Sequence, residues 1–424
     1  MAIDRKRTAE LLETIDNLFN HTVGEVLPSQ AVQFMRKSIM GPALDEIRGL
    51  IANSRPPILF LAGRSGHGKS SLINALTGRL VAPIGDIRPT TPESTPYLVQ
   101  FNERFSSWQV IDSRGVFEST RPDQAANRDP ASILMDDLAK YKPDVILHVI
   151  SATEIRNLAP DIQLFRDIQN RYQGETTSPI PVITVISKAD TLGNPRNWPP
   201  EEMPHKAALI KEALDYFNTE ILNITMQPIN PNFALYGSRS QNPMQPGVIP
   251  VCALQDNLWN IETLQDFIGT WLPESSLLEY YQALQRKEQL RQISSNLINR
   301  FALIASGIGA SPAPLSDFAA LIPLQLLMIA FIGGLSCKPV SKETATEYLS
   351  AAGFNVAATS GLRLLSAQLL KLLPVGGWAA SSTLAGSSTW ALGKAAEAWF
   401  FGGEVVDPGH FKGQWSSSQA DLLA

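Results

Sequence analysis

The segment Gly63–Ser70, with the sequence GRSGHGKS, contains the residue types that hold a phosphate chain. Its three glycines can adopt backbone angles closed to other residues, so that successive amide N–H groups converge on phosphate oxygens. Lys69 offers a mobile positive charge to the outer phosphates, and Ser70 offers a hydroxyl ligand to Mg²⁺. We predict that a nucleotide is bound here by Gly63, Ser65, Gly66, His67, Gly68, Lys69, Ser70 and Ser71.

The residues on either side of this segment give it the context that the pattern requires. Ile58–Ala62 is a short apolar run typical of a buried strand, and Leu72, Ile73 and Leu76 follow at helical spacing. A strand, a glycine-rich loop and a helix in this order place phosphates at a helix N-terminus, where N–H groups attract anions. A chance glycine-rich turn, which is the alternative, does not account for both flanks.

Two later segments predict the contacts to Mg²⁺ and to the terminal phosphate. Thr91, in the sequence RPTT, can place its hydroxyl on Mg²⁺ and its N–H on the γ-phosphate. Asp112 and Gly115 belong to the sequence DSRG at the end of an apolar strand. We expect Asp112 to hold Mg²⁺ through water and Gly115 to donate its N–H to the γ-phosphate. The predicted metal ligands are Ser70, Thr91 and Asp112.

Two further segments predict which base is bound. The Asp190 carboxylate, in the sequence SKAD after the strand VITVIS, can accept two hydrogen bonds from the N1–H and N2–H₂ edge of guanine. Adenine presents an acceptor at N1 and leaves that carboxylate unpaired, which is costly in a buried site. An ordinary solvated loop aspartate is the alternative. The predicted base-binding residues are Lys188 and Asp190, together with the loop Cys252, Ala253 and Leu254.

The motifs GRSGHGKSSLINALTG, RPTT, DSRG, SKAD and VCAL occur in the order found in the Era-like GTPases of the translation-factor-related P-loop class. Roughly residues 55–272 resemble that family. The resemblance implies a nucleotide-binding G domain that takes GTP, GDP and Mg²⁺. Lys69, Thr91 and Gly115 would then be the residues that stabilise charge during hydrolysis.

Short apolar runs that alternate with helical patterns predict an α/β fold for this region. We expect a six-stranded, mostly parallel sheet with one antiparallel strand and helices on both faces. The second and third strands are too close in sequence for a parallel crossover and therefore predict a hairpin. The predicted strands are Ile58–Ala62, Tyr97–Asn102, Trp108–Asp112, Val145–Ile150, Val182–Ile186 and Val248–Val251.

Three departures from the family pattern affect the expected chemistry. Ser65 and Gly66 replace a Pro-Asn pair, so the potassium-coordinating asparagine of some members is absent. Ser187 replaces the usual Asn or Thr, which predicts a looser link between the base loop and the phosphate loop. Val116 stands where Ras-like proteins carry a water-positioning glutamine, so unassisted hydrolysis is expected at or below roughly 10⁻⁴ s⁻¹. A nearby arginine could assist hydrolysis by stabilising the charge on the phosphates. The candidates are Arg114, which we take as the catalytic residue, Arg64 and Arg88. Each is also compatible with an ordinary surface arginine.

The rest of the chain is predicted to be helical. We assign residues 1–54 to an N-terminal helical arm, 273–300 to a helical connector, 301–403 to an all-α apolar domain and 404–424 to a polar tail. Phe318–Cys337 carries no charge and is long enough to span a bilayer, but its Pro, Gln and Gly residues favour a buried core helix. Residues 295–403 resemble a helical domain attached to some bacterial Era-like GTPases, which implies membrane association.

Composition restricts the class of partner and the compartment. Among 424 residues the formal net charge is -5, which argues against DNA and ranks RNA or the ribosome last. Cys252 and Cys337 are the two cysteines, which is typical of a reducing cytosol. The amphipathic N-terminus has no apolar signal core. We predict a cytoplasmic protein that associates peripherally with a membrane or a membrane protein, and that forms a homodimer through the G domain or the helical arms.

The function predicted from these residues is a GTP-binding switch that hydrolyses GTP slowly. A helical domain would couple its nucleotide state to a membrane or protein partner. The first alternative is an assembly or membrane-remodelling scaffold of the dynamin-like or immunity-related type, in which the nucleotide controls assembly. The second alternative is a GTPase associated with the ribosome or RNA.

Overall fold

The structure is a computed structural model of the chain, and it describes residues 54–82, 94–104, 106–113, 130–173, 179–232, 234–309, 316–353, 381–411 and 414–415. The chain divides into two compact units. The sheet unit comprises Pro56–Gln100 and Ser107–Leu277, and the helical unit comprises Met1–Arg55, Phe101–Ser106 and Leu278–Ala424. Apart from Ser54, the predicted N-terminal arm lies outside the described residues.

The sheet has eight strands within the described residues. They are β1 (Ile58–Ala62), β2 (Thr95–Phe101), β3 (Ser106–Asp112), β4 (Val145–Ser151), β5 (Val182–Ser187), β6 (Gln227–Pro228), β7 (Ser238–Arg239) and β8 (Gly247–Pro250). Their order in the sheet is β2-β3-β1-β4-β5-β8-β7-β6. β1 pairs in parallel with β3 and β4, β4 with β5, and β5 with β8. The last two pairs, β8 with β7 and β7 with β6, are antiparallel.

All six predicted strands are present, and the sheet has two additional strands at one edge. β6 and β7 contain two residues each, which is too short for an alternating pattern to show in the sequence. β2 and β3 are neighbours in the sheet and only a few residues apart in the chain, as the predicted hairpin requires.

The strands can be apolar on both faces because helices cover them. All seven residues of β4 are buried, as expected for a parallel strand with both faces covered. On one face Ile146 packs with Leu138, Phe165 and Ile168 from two helices. The helices of this region are α1 (Lys69–Thr77), α2 (Pro130–Tyr141), α3 (Ala159–Gln173), α4 (Pro204–Tyr216) and α5 (Ile261–Gly269).

The helical unit has its own apolar core. The helices that follow α5 are α6 (Glu274–Leu284), α7 (Lys287–Gly309), α8 (Ser316–Leu335), α9 (Lys342–Ala351) and α10 (Ser381–Glu397). Every residue from Leu324 to Leu335 is buried, and Gln325 is the one polar side chain among them, because other helices surround this part of α8. This placement supports the core interpretation of Phe318–Cys337. None of the helices within the described ranges combines the length and the hydropathy that a bilayer span requires.

Two details of the helical unit go beyond the sequence prediction. A Cβ atom on Gly386 would lie 2.1 Å from the Ser306 Oγ, which shows how closely α10 packs on α7. Trp415, in the predicted polar tail, is 8 % exposed and belongs to the buried cluster of this unit. The predicted polar tail is therefore not uniformly exposed to solvent, because Trp415 packs in the apolar core of this unit.

Candidate nucleotide-binding site

The loop between β1 and α1 has a backbone that only glycine accepts at three positions. Gly66 and Gly68 adopt φ angles of 77° and 88°, in the left-handed region. Gly63 has a φ angle of 153°, and a Cβ atom there would lie 2.2 Å from the carbonyl oxygen of Val149. Because α1 begins at Lys69, the loop ends at the N-terminus of a helix, as a phosphate cradle requires.

Lys69, Ser70 and Asp112 lie together beside this loop. The Lys69 Nζ donates to the carbonyl oxygens of Gly63 and Arg64, at 3.0 and 3.2 Å. The Ser70 Oγ donates to the Asp112 Oδ2 at 3.1 Å. This contact joins two of the three predicted metal ligands.

Asp112 is 1 % exposed, and its Oδ1 has no hydrogen-bond partner among the described residues. Burial raises the pKa of this carboxyl group, while Lys69 and the hydrogen bond from Ser70 lower it. An unpaired buried carboxylate oxygen beside a serine hydroxyl is a donor set that suits Mg²⁺, which prefers oxygen ligands. Thr91, the third predicted metal ligand, lies outside the described residues, as do Arg88, Arg114, Gly115 and Val116.

The side chains of His67 and Arg64 anchor the loop from behind. The buried His67 ring contacts the carbonyl oxygen of Val149 through Nδ1 at 3.2 Å and the Glu154 Oε2 through Nε2 at 3.1 Å. Arg64 donates to both carboxylate oxygens of Asp161, at 2.7 and 3.1 Å, and this pairing raises the pKa of Arg64. Asp161 is fully buried, and a buried carboxylate is costly without such a partner. Arg64 is therefore held away from the role of charge stabiliser that we considered for it.

The predicted base loop follows β5. Asp190 is 5 % exposed, and its Oδ1 has no hydrogen-bond partner among the described residues. Lys188 adopts a φ angle of 57°, and its side chain approaches the position that a Cβ atom on Gly68 would occupy. The base loop and the phosphate loop are thus direct neighbours in this structure.

Ser187 links these two loops directly, and whether the link is looser than one through Asn or Thr stays a prediction. Its Oγ lies 2.5 Å from the carbonyl oxygen of His67 and 3.0 Å from that of Ile150. A single hydroxyl proton can be shared between these two acceptors. A short serine side chain reaches the phosphate loop because β4 and β5 are paired and bring Ser187 against the loop's final turn.

The loop Cys252–Leu254 lies next to the base loop. The Ala189 N–H donates to the carbonyl oxygen of Val251 at 3.1 Å, and Cys252 forms an antiparallel bridge with Trp259. Burial, with a smaller contribution from the nearby Asp190, raises the pKa of the Cys252 thiol to about 12, so the thiol is neutral at pH 7. Ala253 is partly exposed and Leu254 is exposed, which leaves the backbone of this loop accessible.

Several residues of the site escaped the sequence analysis because their partners are distant in the chain. Glu154 and Asp161 hold the phosphate loop across 87 and 97 residues, and no local pattern marks such pairs. Lys206 carries a clearer signal. It lies four residues before Ile210 and eight before Leu214, and all three are buried on one face of α4. A charge on an apolar helical stripe could have been recognised as a buried polar contact.

Comparison with known proteins agrees with this geometry. The family described as 50S ribosome-binding GTPase matches residues 58–188. GTPase Der of Salinispora arenicola is 32% identical over 138 residues, which are 32% of this chain and 26% of that protein. The uncharacterized protein YfjP of Escherichia coli is 32% identical over 112 residues, which are 26% of this chain and 36% of that protein. The chain thus spans about a quarter to just over a third of the length of these relatives.

A solved structure of Era in complex with MgGDPNP and a segment of 16S ribosomal RNA aligns with 59% of this chain and 68% of that chain, at 19% identity and a TM-score of 0.33. The phosphate loop and the strand that ends at Asp112 lie within the matched segment, and Asp190 lies two residues after it. Residues 58–188 therefore match a P-loop GTPase domain of the family described as 50S ribosome-binding GTPase.

Proposed function

We propose that the chain binds GTP with Mg²⁺ and hydrolyses it slowly to GDP and phosphate. The observation that carries this proposal is the pair of buried carboxylates, each with one oxygen that lacks a partner among the described residues. The Asp112 carboxylate lies beside Ser70, at the phosphate loop. The Asp190 carboxylate lies in the base loop, which Ser187 links to the same phosphate loop. One carboxylate suits a magnesium ion, and the other suits the donor edge of guanine.

The residues of the site divide the chemistry between them. Loop amides and the α1 N-terminus bind the phosphates, and Lys69 leaves its carbonyl contacts to neutralise charge on the outer phosphates. Ser70 and Asp112 would hold Mg²⁺, which supplies charge neutralisation when bound. Water attacks the γ-phosphorus in line, the bond to the β,γ-bridging oxygen breaks, and GDP leaves. Thr91 and Gly115 are proposed as further contacts to the γ-phosphate, and Arg114 as a charge stabiliser.

Binding of a fluorescent GDP analogue, with GTP, GDP and ADP as competitors, tests the nucleotide assignment. We expect GTP and GDP to compete and ADP to fail, and we expect Lys69→Ala to abolish tight binding. Lys211→Ala, an exposed lysine of α4, is the matched control. Equal competition by ADP, or unchanged affinity in Lys69→Ala, would contradict the proposal. A steep rise of turnover with protein concentration would favour the assembly-controlled scaffold over a monomeric switch.

We also propose that the helical unit couples nucleotide state to a partner. The support is chain connectivity. The short helical turn Asn102–Arg104 belongs to the helical unit, where Arg104 donates to the carbonyl oxygen of Ala283, and it lies two residues before the strand that ends at Asp112. Hydrogen exchange of α6 and α7, compared between GDP and a non-hydrolysable GTP analogue, tests this coupling. Equal exchange in the two states would refute it.

The class of partner remains a proposal with two candidates. The matching family is described as ribosome-binding, so the family match gives no support for ranking the ribosome last. A peripheral membrane partner rests on the resemblance of the helical region, and the buried side chains of α8 are unavailable for it in this structure. Co-sedimentation with ribosomes and with anionic vesicles, each with GTP and with GDP, distinguishes these candidates.

A further inference from the structure

Lys206 is a buried cation directly beneath the predicted base loop. It lies in the first turn of α4 and is only 1 % exposed. Its Nζ donates to the carbonyl oxygen of Asp190 at 2.7 Å and to that of Leu192. Both acceptors belong to the short segment that carries the candidate guanine-binding carboxylate. The ammonium group therefore bridges the backbone on either side of Thr191.

The burial of this lysine requires a compensating contact. An ammonium group loses its hydration inside a protein, and such groups are retained where they are hydrogen-bonded or paired. Here two carbonyl oxygens accept from it, and the negative charge of Asp190 acts on it from nearby. Burial lowers the pKa of Lys206, and Asp190 opposes that shift. The Asp190 carboxylate therefore favours the charged form of Lys206.

The rest of α4 keeps Lys206 in place. Ile210, one turn further along the helix, packs in a cluster with Ala189 and Cys252. Ala189 precedes Asp190 in the base loop, and Cys252 begins the loop Cys252–Leu254. Pro204 occupies the first turn, a position that proline favours at the start of a helix. A rigid, packed helix thus presents one charged group to the base loop.

We propose that Lys206 is a positioning residue for guanine recognition. Its ammonium group fixes the backbone of Asp190–Leu192 through the two carbonyl contacts, so that the Asp190 carboxylate faces the base. It does not itself contact the nucleotide. This inference rests on the proposed binding of guanine nucleotides, and it adds a selectivity determinant that lies outside the nucleotide-binding motifs.

The discriminating measurement is the ratio of the dissociation constants for IDP and GDP. IDP lacks the exocyclic amino group and so loses one of the two hydrogen bonds to Asp190, while its phosphates are the same. A ratio taken on one preparation is independent of the fraction of active protein. We expect Lys206→Met to weaken GDP binding about tenfold or more and to bring the IDP/GDP ratio close to 1. Lys211→Met, an exposed position on the same helix, should retain the wild-type values.

Further variants keep the test decisive. Lys206→Arg retains a charged donor and should recover most of the ratio, whereas Lys206→Gln retains a neutral donor and should not. If Lys206→Met fails to fold, the Gln variant provides the measurement. A wild-type ratio in the Met or Gln variant, even with lower thermal stability, would overturn the inference and leave a purely structural lysine. Failure of the wild-type protein to prefer GDP to ADP would instead overturn the proposed function on which this inference depends.

Discussion

Replacing Ser187 with alanine tests whether the base loop and the phosphate loop act as one unit. The Ser187 Oγ is buried and lies within 2.5 and 3.0 Å of two carbonyl oxygens. Alanine removes the donor without adding volume. The loss of a buried hydrogen bond costs about 1–3 kcal/mol when the remaining partner stays desolvated. We therefore expect the free energy of unfolding of the nucleotide-free sheet unit to fall by about that amount.

The same substitution should weaken nucleotide binding, because the loop that holds the phosphates would no longer be tied to the loop that holds the base. A loss of about 1 kcal/mol in preorganisation corresponds to roughly a fivefold increase in the GDP dissociation constant. Stopped-flow displacement of a fluorescent GDP analogue measures the dissociation rate. Urea titration measures the free energy of unfolding. The transition that moves to higher urea when GDP is added is the one that belongs to the sheet unit.

Two control variants make this result interpretable. Ser187→Thr retains the hydroxyl and should lose less affinity than Ser187→Ala. Ser350→Ala changes an exposed serine in the helical unit and should leave GDP binding unchanged. If Ser187→Ala releases GDP at the wild-type rate and unfolds at the wild-type urea concentration, the link has no energetic role. The reasoning from its geometry would then be refuted.

Three further predictions concern buried titratable groups. Asp190→Asn should weaken GDP binding about 10²-fold and improve the binding of XDP, whose base offers an acceptor to the new amide; unchanged selectivity between the two nucleotides would contradict this. Burial raises the pKa of Asp112 in the folded state, so without metal its carboxyl lowers stability as pH rises through that pKa. Asp112→Asn should therefore raise the thermal unfolding temperature in EDTA at pH 7, with a gain that disappears at a pH low enough to protonate the carboxyl in both states. Burial lowers the pKa of His148 to about 3, so the unfolded chain takes up a proton below the ordinary value of 6.5 and stability falls as pH decreases from there toward 3. His148→Leu should flatten this part of the stability profile, and an unchanged slope in urea titrations between pH 6.5 and pH 4 would exclude the histidine as its cause.

The parts of the site that the sequence predicts are those built from neighbours in the chain. The phosphate loop is one uninterrupted segment, and the glycine φ angles that it requires are a property of that segment alone. Asp112 and Asp190 each come at the end of an apolar run. Recognising those runs as strands therefore also places both residues at the carboxyl ends of strands. The mostly parallel pairing follows from the same alternation of strands and helices, whereas the strand order is seen only in the structure.

The parts that could not be predicted depend on contacts between distant residues. The Arg64 pairing with Asp161 and the Ser187 contact with His67 span 97 and 120 residues. A serine in place of the usual Asn or Thr predicts a looser link, and the local sequence does not show which backbone groups its hydroxyl reaches. Strand pairing decides the distance that the side chain must cover, and here it brings the serine close enough. Trp415 is a similar case, because tail polarity gave no indication of an apolar docking position.

The state of Arg64 bears on how hydrolysis would be activated. Asp161 is fully buried, and both of its oxygens accept from Arg64. Moving Arg64 toward a γ-phosphate would leave the buried Asp161 carboxylate without its arginine partner. Breaking a buried ion pair in this way costs about 3–5 kcal/mol. A gain in transition-state stabilisation would first have to exceed this cost. If the chain hydrolyses GTP as proposed, we therefore expect its charge stabiliser to be Arg88, Arg114 or a group of a partner, and not Arg64. A low unassisted rate that a partner raises would agree with the proposed switch.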